Sequence, residues 1–508
     1  MLIHKYICIG GMRLKSNFLK IAGLLICLVF VFSSFQLSVA AEVSEENIDS
    51  TSSITIIDGT NDPDPTKFVH PLWGSPCTED IYNVQMAVLS AQPYDSLILN
   101  GEFCFDTEYD SDSGVLVTIP LTIKGDSALI DENGISRPAT TIYNSGLWAP
   151  FVLMGTDGVT ICDMSIMTNG WGVEVYDCFG EQPIIVSNTY IELDPDYSFH
   201  TECINIVDFD CPVYITDNQL IVTDYGLGST WADAIQISAF PVWSGVSNQH
   251  EVVIRNNRIH CTGPLNMWGG RVRLGYSVGI LNNVLFENNV MSGTSSWGIE
   301  VCMYTSDCII RNNDLSGLST TWSQIALLGS NHICHDNVLG QPIGGNPWGF
   351  VSAAIEIASM NMHPPATPSW HTENNVIMRN DYRNTGLTGW TFDDDDNVLT
   401  SGCVIVYDWE AYFGIPLFGV TSGLSCRTNL VFEAGSFPVG TGGASKQVWV
   451  LESDITYSNR VVGLPPDEVE TRGIGQLITG AGEVMDFCDE MLELKIELLQ
   501  TLSLPLTE

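Results

Sequence analysis

The sequence predicts an all-β chain wound as a single-stranded, right-handed parallel β-helix. Three sheets form the solenoid, with a capping helix at the N-terminal end and a second helix at the C-terminus. Three observations lead there. First, the pattern apolar-x-apolar-x-(Asn/Asp)-Asn-x-apolar recurs as VYITDNQL ending at Leu220, VVIRNNRI at Ile259, VLFENNVM at Met291, CIIRNNDL at Leu315 and HICHDNVL at Leu339. Second, the recurrence tightens to 24 residues between Asn289, Asn313 and Asn337, which suits one coil of three short strands. Third, each copy alternates with period two, the signature of a strand rather than of a helical repeat.

The repeat assigns a role to its asparagine. The anchors are Asn188, Asn218, Asn257, Asn289, Asn313, Asn337 and Asn380, and VTICDMSI places Met164 at the same point of an earlier coil. Coils stack at the ordinary strand separation of ~4.8 Å. Asparagines at one bend can therefore bond amide to amide along the stack and satisfy polar groups buried there. Asparagine also tolerates the left-handed backbone of a tight bend. Two residues before the anchors, Thr216, Arg255, Glu287, Arg311 and His335 should face outward as a surface ion ladder.

Each of these strands follows another. GVEV, CINI, AIQI, SVGI, GIEV, QIAL, AIEI and CVIV point Glu174, Asn205, Gln236, Gly279, Glu300, Ala326, Glu356 and Ile405 outward. A third strand should follow each anchor. Before the coils, Ile81 to Ala91 has the apolar spacing of a short amphipathic helix, suited to closing the open end of a solenoid. After them, GEVMDFCDEMLELKIELLQTL reads as an amphipathic helix, a cap or docking element. The expected divisions are a signal peptide at 1–41, a flexible linker at 42–65, the β-helix at 66–435 and a C-terminal capping or docking region at 436–508.

The leader has Arg13, Lys15 and Lys20 ahead of the apolar run Ile21–Phe35, then Ser38-Val39-Ala40 as a small-residue cleavage site. That run is shorter than the ~20 residues of a membrane span. The expectation is a secreted or cell-surface protein without a transmembrane span in its mature chain. Sixty acidic residues face nineteen basic ones, and removing the leader takes the net charge from −41 to −45. Such a surface does not suit nucleic acid, whose phosphates need basic partners. Thirteen cysteines follow the leader, an odd number; Cys77–Cys104 and Cys203–Cys211 are candidate disulfides, while Cys308 and Cys334 fall on inward positions.

The capping helix, the GEF turn at 101–103, the LTIKG strand at 121–125 and the asparagine-bearing rungs resemble the pectin-lyase-like right-handed β-helix superfamily. Over roughly residues 75–435 they are most similar to its carbohydrate-binding and sugar-hydrolysis repeat proteins of prokaryotic surfaces. The resemblance implies a polysaccharide or surface-glycan partner and a substrate groove across the sheet carrying Glu174 to Glu356. Departures are plain: the chain lacks the Arg-x-Pro-x-x-Arg and Trp-Ile-Asp-His of pectate lyases and the Asn-Thr-Asp, Gly-His-Gly and Arg-Ile-Lys of polygalacturonases.

Candidate chemistry sits on that sheet. Glu300 and Glu356 lie two coils apart, ~9.6 Å by strand spacing, near the 6.5–9.5 Å that inverting glycosidases leave between carboxyls. They are the candidate catalytic pair, with Glu174, Asn205 and Gln236 as candidate sugar-binding groups. Alternation alone also puts polar residues on an outer sheet face. Trp171, Trp231, Trp297 and Trp322 lie near the same edge and are candidates for stacking on sugar rings, or for packing loops onto the solenoid. No cofactor is expected. Asp393 to Asp396 in FDDDDN could chelate calcium, though four consecutive acids lack the alternate spacing that wraps one ion. No zinc-type spacing, nucleophile elbow or phosphate loop is present. The readings are a carbohydrate-binding β-helix, a polysaccharide hydrolase or lyase, and a purely structural surface or adhesion protein.

Overall fold

The computed structural model describes residues 54–58, residues 79–386 apart from short intervals, and four later strands. Three parallel sheets run through it, and the chain visits them in a fixed order. Sheet 1 has eleven strands, from Val115–Val117 to Val439–Thr441; sheet 2 has fourteen and sheet 3 nine. One coil shows the path: Val173–Phe179 in sheet 1, Ile184–Ser187 in sheet 2, Tyr190–Leu193 in sheet 3, then His200–Asp210 back in sheet 1. Each strand pairs in parallel with its counterpart one coil on, as Val175 with Ile206 and Val186 with Ile215. The chain is a right-handed parallel β-helix.

Alternation sends every second residue inward, where like side chains stack. Ile161, Val186, Ile215, Ile254, Phe286, Ile310, Cys334 and Ile377 are aligned coil by coil in sheet 2, all buried. Sheet 1 contributes Val173, Ile204, Ile235, Val272, Ile299, Ile325 and Ile355. Burial of one such side chain stabilises by about 1.5–3 kcal/mol, so a column of them is the main adhesive between coils.

The N-terminal end is closed as the sequence suggests. Helix α1, Glu79–Ser90, buries Ile81, Val84 and Val88 against the first coil. It also satisfies an edge: Gln85 accepts from the Leu116 N–H (2.7 Å) and donates to the Leu116 carbonyl (3.1 Å). Asp80 accepts from the Cys104 N–H at 2.8 Å. The stretch read as a linker holds a strand, Ile54–Asp58, paired in parallel with Asp95–Asn100. Its alternation, ITIID, is what lets it extend sheet 2. The coils also continue past 435, with Val439–Thr441 on sheet 1 and Gln447–Leu451 on sheet 2. The leader, the acidic run at 393–396 and the C-terminal helix expectation lie outside the described residues.

The bend between sheets 2 and 3 uses both residues of the (Asn/Asp)-Asn pair, and divides the work between them. The first takes the left-handed backbone: Asp163, Asn188, Asp217, Asn256, Asn288, Asn312 and Asp336 have φ between 48° and 59°. The second points inward and carries the ladder. Asn218 donates to Asn257 Oδ1 at 3.0 Å, Asn257 to Asn289 at 2.9 Å, Asn289 to Asn313 at 3.1 Å, Asn313 to Asn337 at 2.9 Å and Asn337 to Asn380 at 2.9 Å. Each backbone N–H along this run donates to the same Oδ1, and each amide's second hydrogen goes to a carbonyl, as Asn257 to Ile215.

Asn188 is therefore not a ladder residue. In IIVSNTYI it occupies the left-handed position, is exposed, and donates to Asp163 Oδ1 at 2.6 Å. Thr189 takes the ladder position and donates its N–H (3.0 Å) and hydroxyl (2.7 Å) to Asn218 Oδ1. The outward column before the anchors shows one ion pair among the described residues, Arg311 to Glu287 at 2.7 Å. His335 instead bonds Asp336 next to it. Cys203 and Cys211, the candidate disulfide, are two buried free thiols.

Candidate functional site

Sheet 1 presents one outward column, and its register is explicit. Glu174 pairs with Asn205, Asn205 with Gln236, Gln236 with Arg273, Arg273 with Glu300, Glu300 with Ala326 and Ala326 with Glu356. The strand of the fourth coil is Val272–Leu274, not SVGI. Gly279 instead begins a strand running into sheet 2 and pairs antiparallel with Pro241. The column residue that sequence reasoning missed is Arg273. The signal was available: Arg-Val-Arg-Leu alternates like Gln-Ile-Ala-Leu.

The column is not an open groove floor. Glu174, Asn205, Gln236, Arg273 and Glu356 are all buried, and the side chain of Glu300 is 14% exposed. Buried polar groups must be bonded, and the partners divide the column into two parts.

The later part is an ion network. Arg271 bonds Asp233 (3.1 Å) and Glu300 (2.6 Å); Arg273 bonds Asp233 (2.8 Å), reaches Glu300 at 3.6 Å and donates to Gln236 Oε1 (2.8 Å). Two guanidiniums and two carboxylates balance one another. Burial pushes the Glu300 carboxyl up, the Arg273 guanidinium pulls it down, and the Asp233 carboxylate pushes it up again. Trp297 lies under Arg271, 5.1 Å from the guanidinium carbon, and stacks on Trp322 at 4.4 Å. Both indoles are buried with Ala326 in a small apolar cluster outside the main core. Glu356, two coils from Glu300, accepts from Ser323 at 2.6 Å.

The earlier part holds acids and aromatic groups. Tyr176 donates its phenol to Glu174, and the Trp171 indole N–H donates to Glu202 on the next coil. Trp171 also stacks on Trp148 at 5.5 Å, and these two indoles are partly exposed. Burial raises the Glu174 carboxyl to about 7; the Tyr176 bond opposes this, the Glu202 charge adds to it, and a bond with Asn205 opposes it. Gln236 donates to Asn205 Oδ1 at 3.2 Å, linking the two parts. Trp231 starts a sheet 1 strand, opposite His200, and its side chain lies outside the described residues.

Thus Glu300 and Glu356 share a column, as do Glu174, Asn205 and Gln236. Trp297 and Trp322 are packed away, whereas Trp171 is accessible. Glu202, Asp233, Arg271 and Tyr176 join the site without having been singled out by sequence. Tyr176 and Arg271 sit two residues from a column member, on the same face by alternation, while Glu202 and Asp233 sit three away and out of phase with it. Among the described residues no three acidic, histidine or cysteine side chains form a metal-holding group.

No sequence family and no curated protein matches the chain. Solved structures do. The mannuronan C-5 epimerase A-module of Azotobacter vinelandii is 13% identical with a TM-score of 0.43, covering 76% of this chain and 97% of its own. An alginate lyase is 13% identical with a TM-score of 0.41, covering 78% and 74%. PfbA, a surface adhesin of Streptococcus pneumoniae, is 10% identical with a TM-score of 0.36, covering 75% and 91%. Likenesses this shallow say nothing of a shared site, and the fold assignment rests on the strand pairing itself. Among the described residues no helix is long and apolar enough to cross a membrane.

Proposed function

We propose that the protein is a secreted or cell-surface carbohydrate-binding β-helix that holds a glycan along the outer side of sheet 1. One observation carries this reading. From Glu174 to Glu356, six of seven consecutive coils place a hydrogen-bonding side chain in a single register, and fixed neighbours orient them. A wall needing only solubility would carry short, exposed polar groups. Preorganised amides, carboxyls and guanidiniums beside accessible indoles are what recognition of a polyhydroxylated chain requires. A glycan array over neutral and acidic polysaccharides tests it. Binding should appear for at least one class and weaken at least tenfold in Trp171→Ala; an array blank for the full chain would leave the purely structural reading.

The second reading is polysaccharide cleavage by a hydrolase or lyase. Its supporting observation is the burial of Glu300, which pushes its carboxyl above the ordinary range and toward what a general acid needs. Under the assignment made from sequence, Glu300→Gln or Glu356→Gln would abolish product release from a bound polysaccharide. Unchanged cleavage would remove that pair from the chemistry.

A further inference from the structure

We propose that the glycan on sheet 1 is an uncharged polysaccharide seated on Trp148 and Trp171, and not a polyuronate. The proposal rests on the reading of sheet 1 as a glycan site, and it names the class of chain that site admits. Its first ground lies in the sequence: between Arg137 and Arg255 there is no lysine or arginine. That interval spans the coils of Glu174 and Asn205 with all their loops, and the sheet 1 strand of Gln236. Acids recur throughout it, as Asp177, Glu181, Glu202, Asp208 and Asp210 do on two successive coils. A polyuronate has a carboxylate on every sugar, so here it would meet like charges with no cation to offset them.

The cations that sheet 1 does have lie farther along and are already engaged. Among the described residues its lysine and arginine side chains are Arg271 and Arg273, each 3% exposed. Both hold Asp233, at 3.1 and 2.8 Å, and Arg271 holds Glu300 at 2.6 Å. Turning either toward a uronate would take a guanidinium from Asp233, which is wholly buried. A buried charge stripped of its partner is strongly unfavourable. The network is closed to an anionic ligand.

What a chain can reach at the other end is aromatic and apolar. Trp148 and Trp171 lie just before the paired strands Phe151–Met154 and Val173–Phe179, stacked at 5.5 Å with 21° between their planes, and both are partly exposed. At the far end of these strands Met154, 40% exposed, pairs with the partly exposed Tyr176. The aromatic groups are held in place: Trp171 donates its N–H to Glu202, and Tyr176 its phenol to Glu174. Both carboxyls are 1% exposed, so they fix the rings from beneath. A rigid indole pair offers an apolar face to the C–H side of a sugar ring, a contact that needs no charge on the sugar.

Retention of the full chain on immobilised polysaccharides tests this, with a chelator present so that no divalent ion bridges carboxylates. Mannan and a β-glucan serve as uncharged probes, alginate and polygalacturonate as acidic ones, and chitosan as an amine-bearing one. At least one uncharged probe should retain the chain, with affinity changing less than about twofold between about 0.05 and 0.5 M salt, because no ion pair is screened. At the lower salt both acidic probes should bind at least about tenfold more weakly. Trp148→Ala should weaken retention on the uncharged probe about tenfold, whereas Trp148→Phe, which keeps a ring, should stay within about threefold of wild type. Retention on an acidic probe alone overturns the proposal and leaves the binding reading intact. So does retention on chitosan through the higher salt with no uncharged probe bound, and so does undiminished binding in Trp148→Ala. A wild-type chain that no probe retains overturns both.

Discussion

The pentapeptide Trp-Gly-apolar-Glu-Val occurs twice on sheet 1, and the two copies have opposite fates. At 171–175 the indole is partly exposed and donates to Glu202, and the glutamate accepts from the Tyr176 phenol. At 297–301 the indole is buried against an arginine and a second tryptophan, and the glutamate closes an ion network. Local sequence is the same, so backbone and side-chain direction are the same. What differs is the coil on either side. In a solenoid the chemistry of a residue is decided by its neighbours ~4.8 Å above and below, which lie some thirty residues away in sequence.

The largest way to break the comparison is to remove the arginines from the second copy. Arg273→Met would leave Asp233 buried without one of its two guanidiniums, and breaking a buried pair this way costs about 3–5 kcal/mol. Denaturant titration should show the loss as a lower midpoint. Should the midpoint hold, the network would be solvated rather than buried, and the difference between the two copies would lie in the indoles alone.

Next in size is the pH response of the first copy. Glu174 has an ordinary carboxyl value of 4.5 and a folded value of about 7. Below 4.5 it is protonated folded and unfolded, and contributes nothing. As pH rises from 4.5 to 7 the unfolded chain gives up the proton first, so stability falls through that window and levels off above it. The penalty is on the order of 3 kcal/mol. Glu174→Gln removes it. Its stability relative to wild type should therefore rise between pH 4 and pH 8, and a difference flat with pH would show that Glu174 ionises normally.

Much of this was legible in the sequence, for a physical reason. Period-two alternation settles which residues face inward, and a stacked amide ladder demands asparagine in one position, so the fold and the column Glu174, Asn205, Gln236, Glu300, Ala326, Glu356 could be read directly. Arg273 was not, because its strand is three residues long and the following SVGI imitates it. The fates of Trp171 and Trp297 were not legible either. Whether an indole stays accessible depends on whether the next coil offers Glu202 or Trp322, and insertions between coils remove any fixed spacing that would align them.

The smallest effects sharpen the same lesson at the asparagine bend, where neighbours again decide the role of a repeated residue. Asn289 accepts from both nitrogens of Asn257 and donates to Asn313 and to the Ile254 carbonyl. Replacing it with alanine leaves several buried groups unbonded and should lower stability by about 1–3 kcal/mol. Asn188, alike in sequence, has φ 48° and an exposed bond to Asp163. Asn188→Gly keeps that backbone available and should change stability by less than about 0.5 kcal/mol, as for surface sites generally. Thr189→Asn would add a rung above Asn218, since the position already donates to its Oδ1. Thermal melts of the three variants should rank Asn289→Ala lowest, with Asn188→Gly near wild type. If Asn188→Gly were instead as damaging as Asn289→Ala, the ladder would begin at 188, and the division of the bend into a left-handed residue and a ladder residue would fail for the first of its coils.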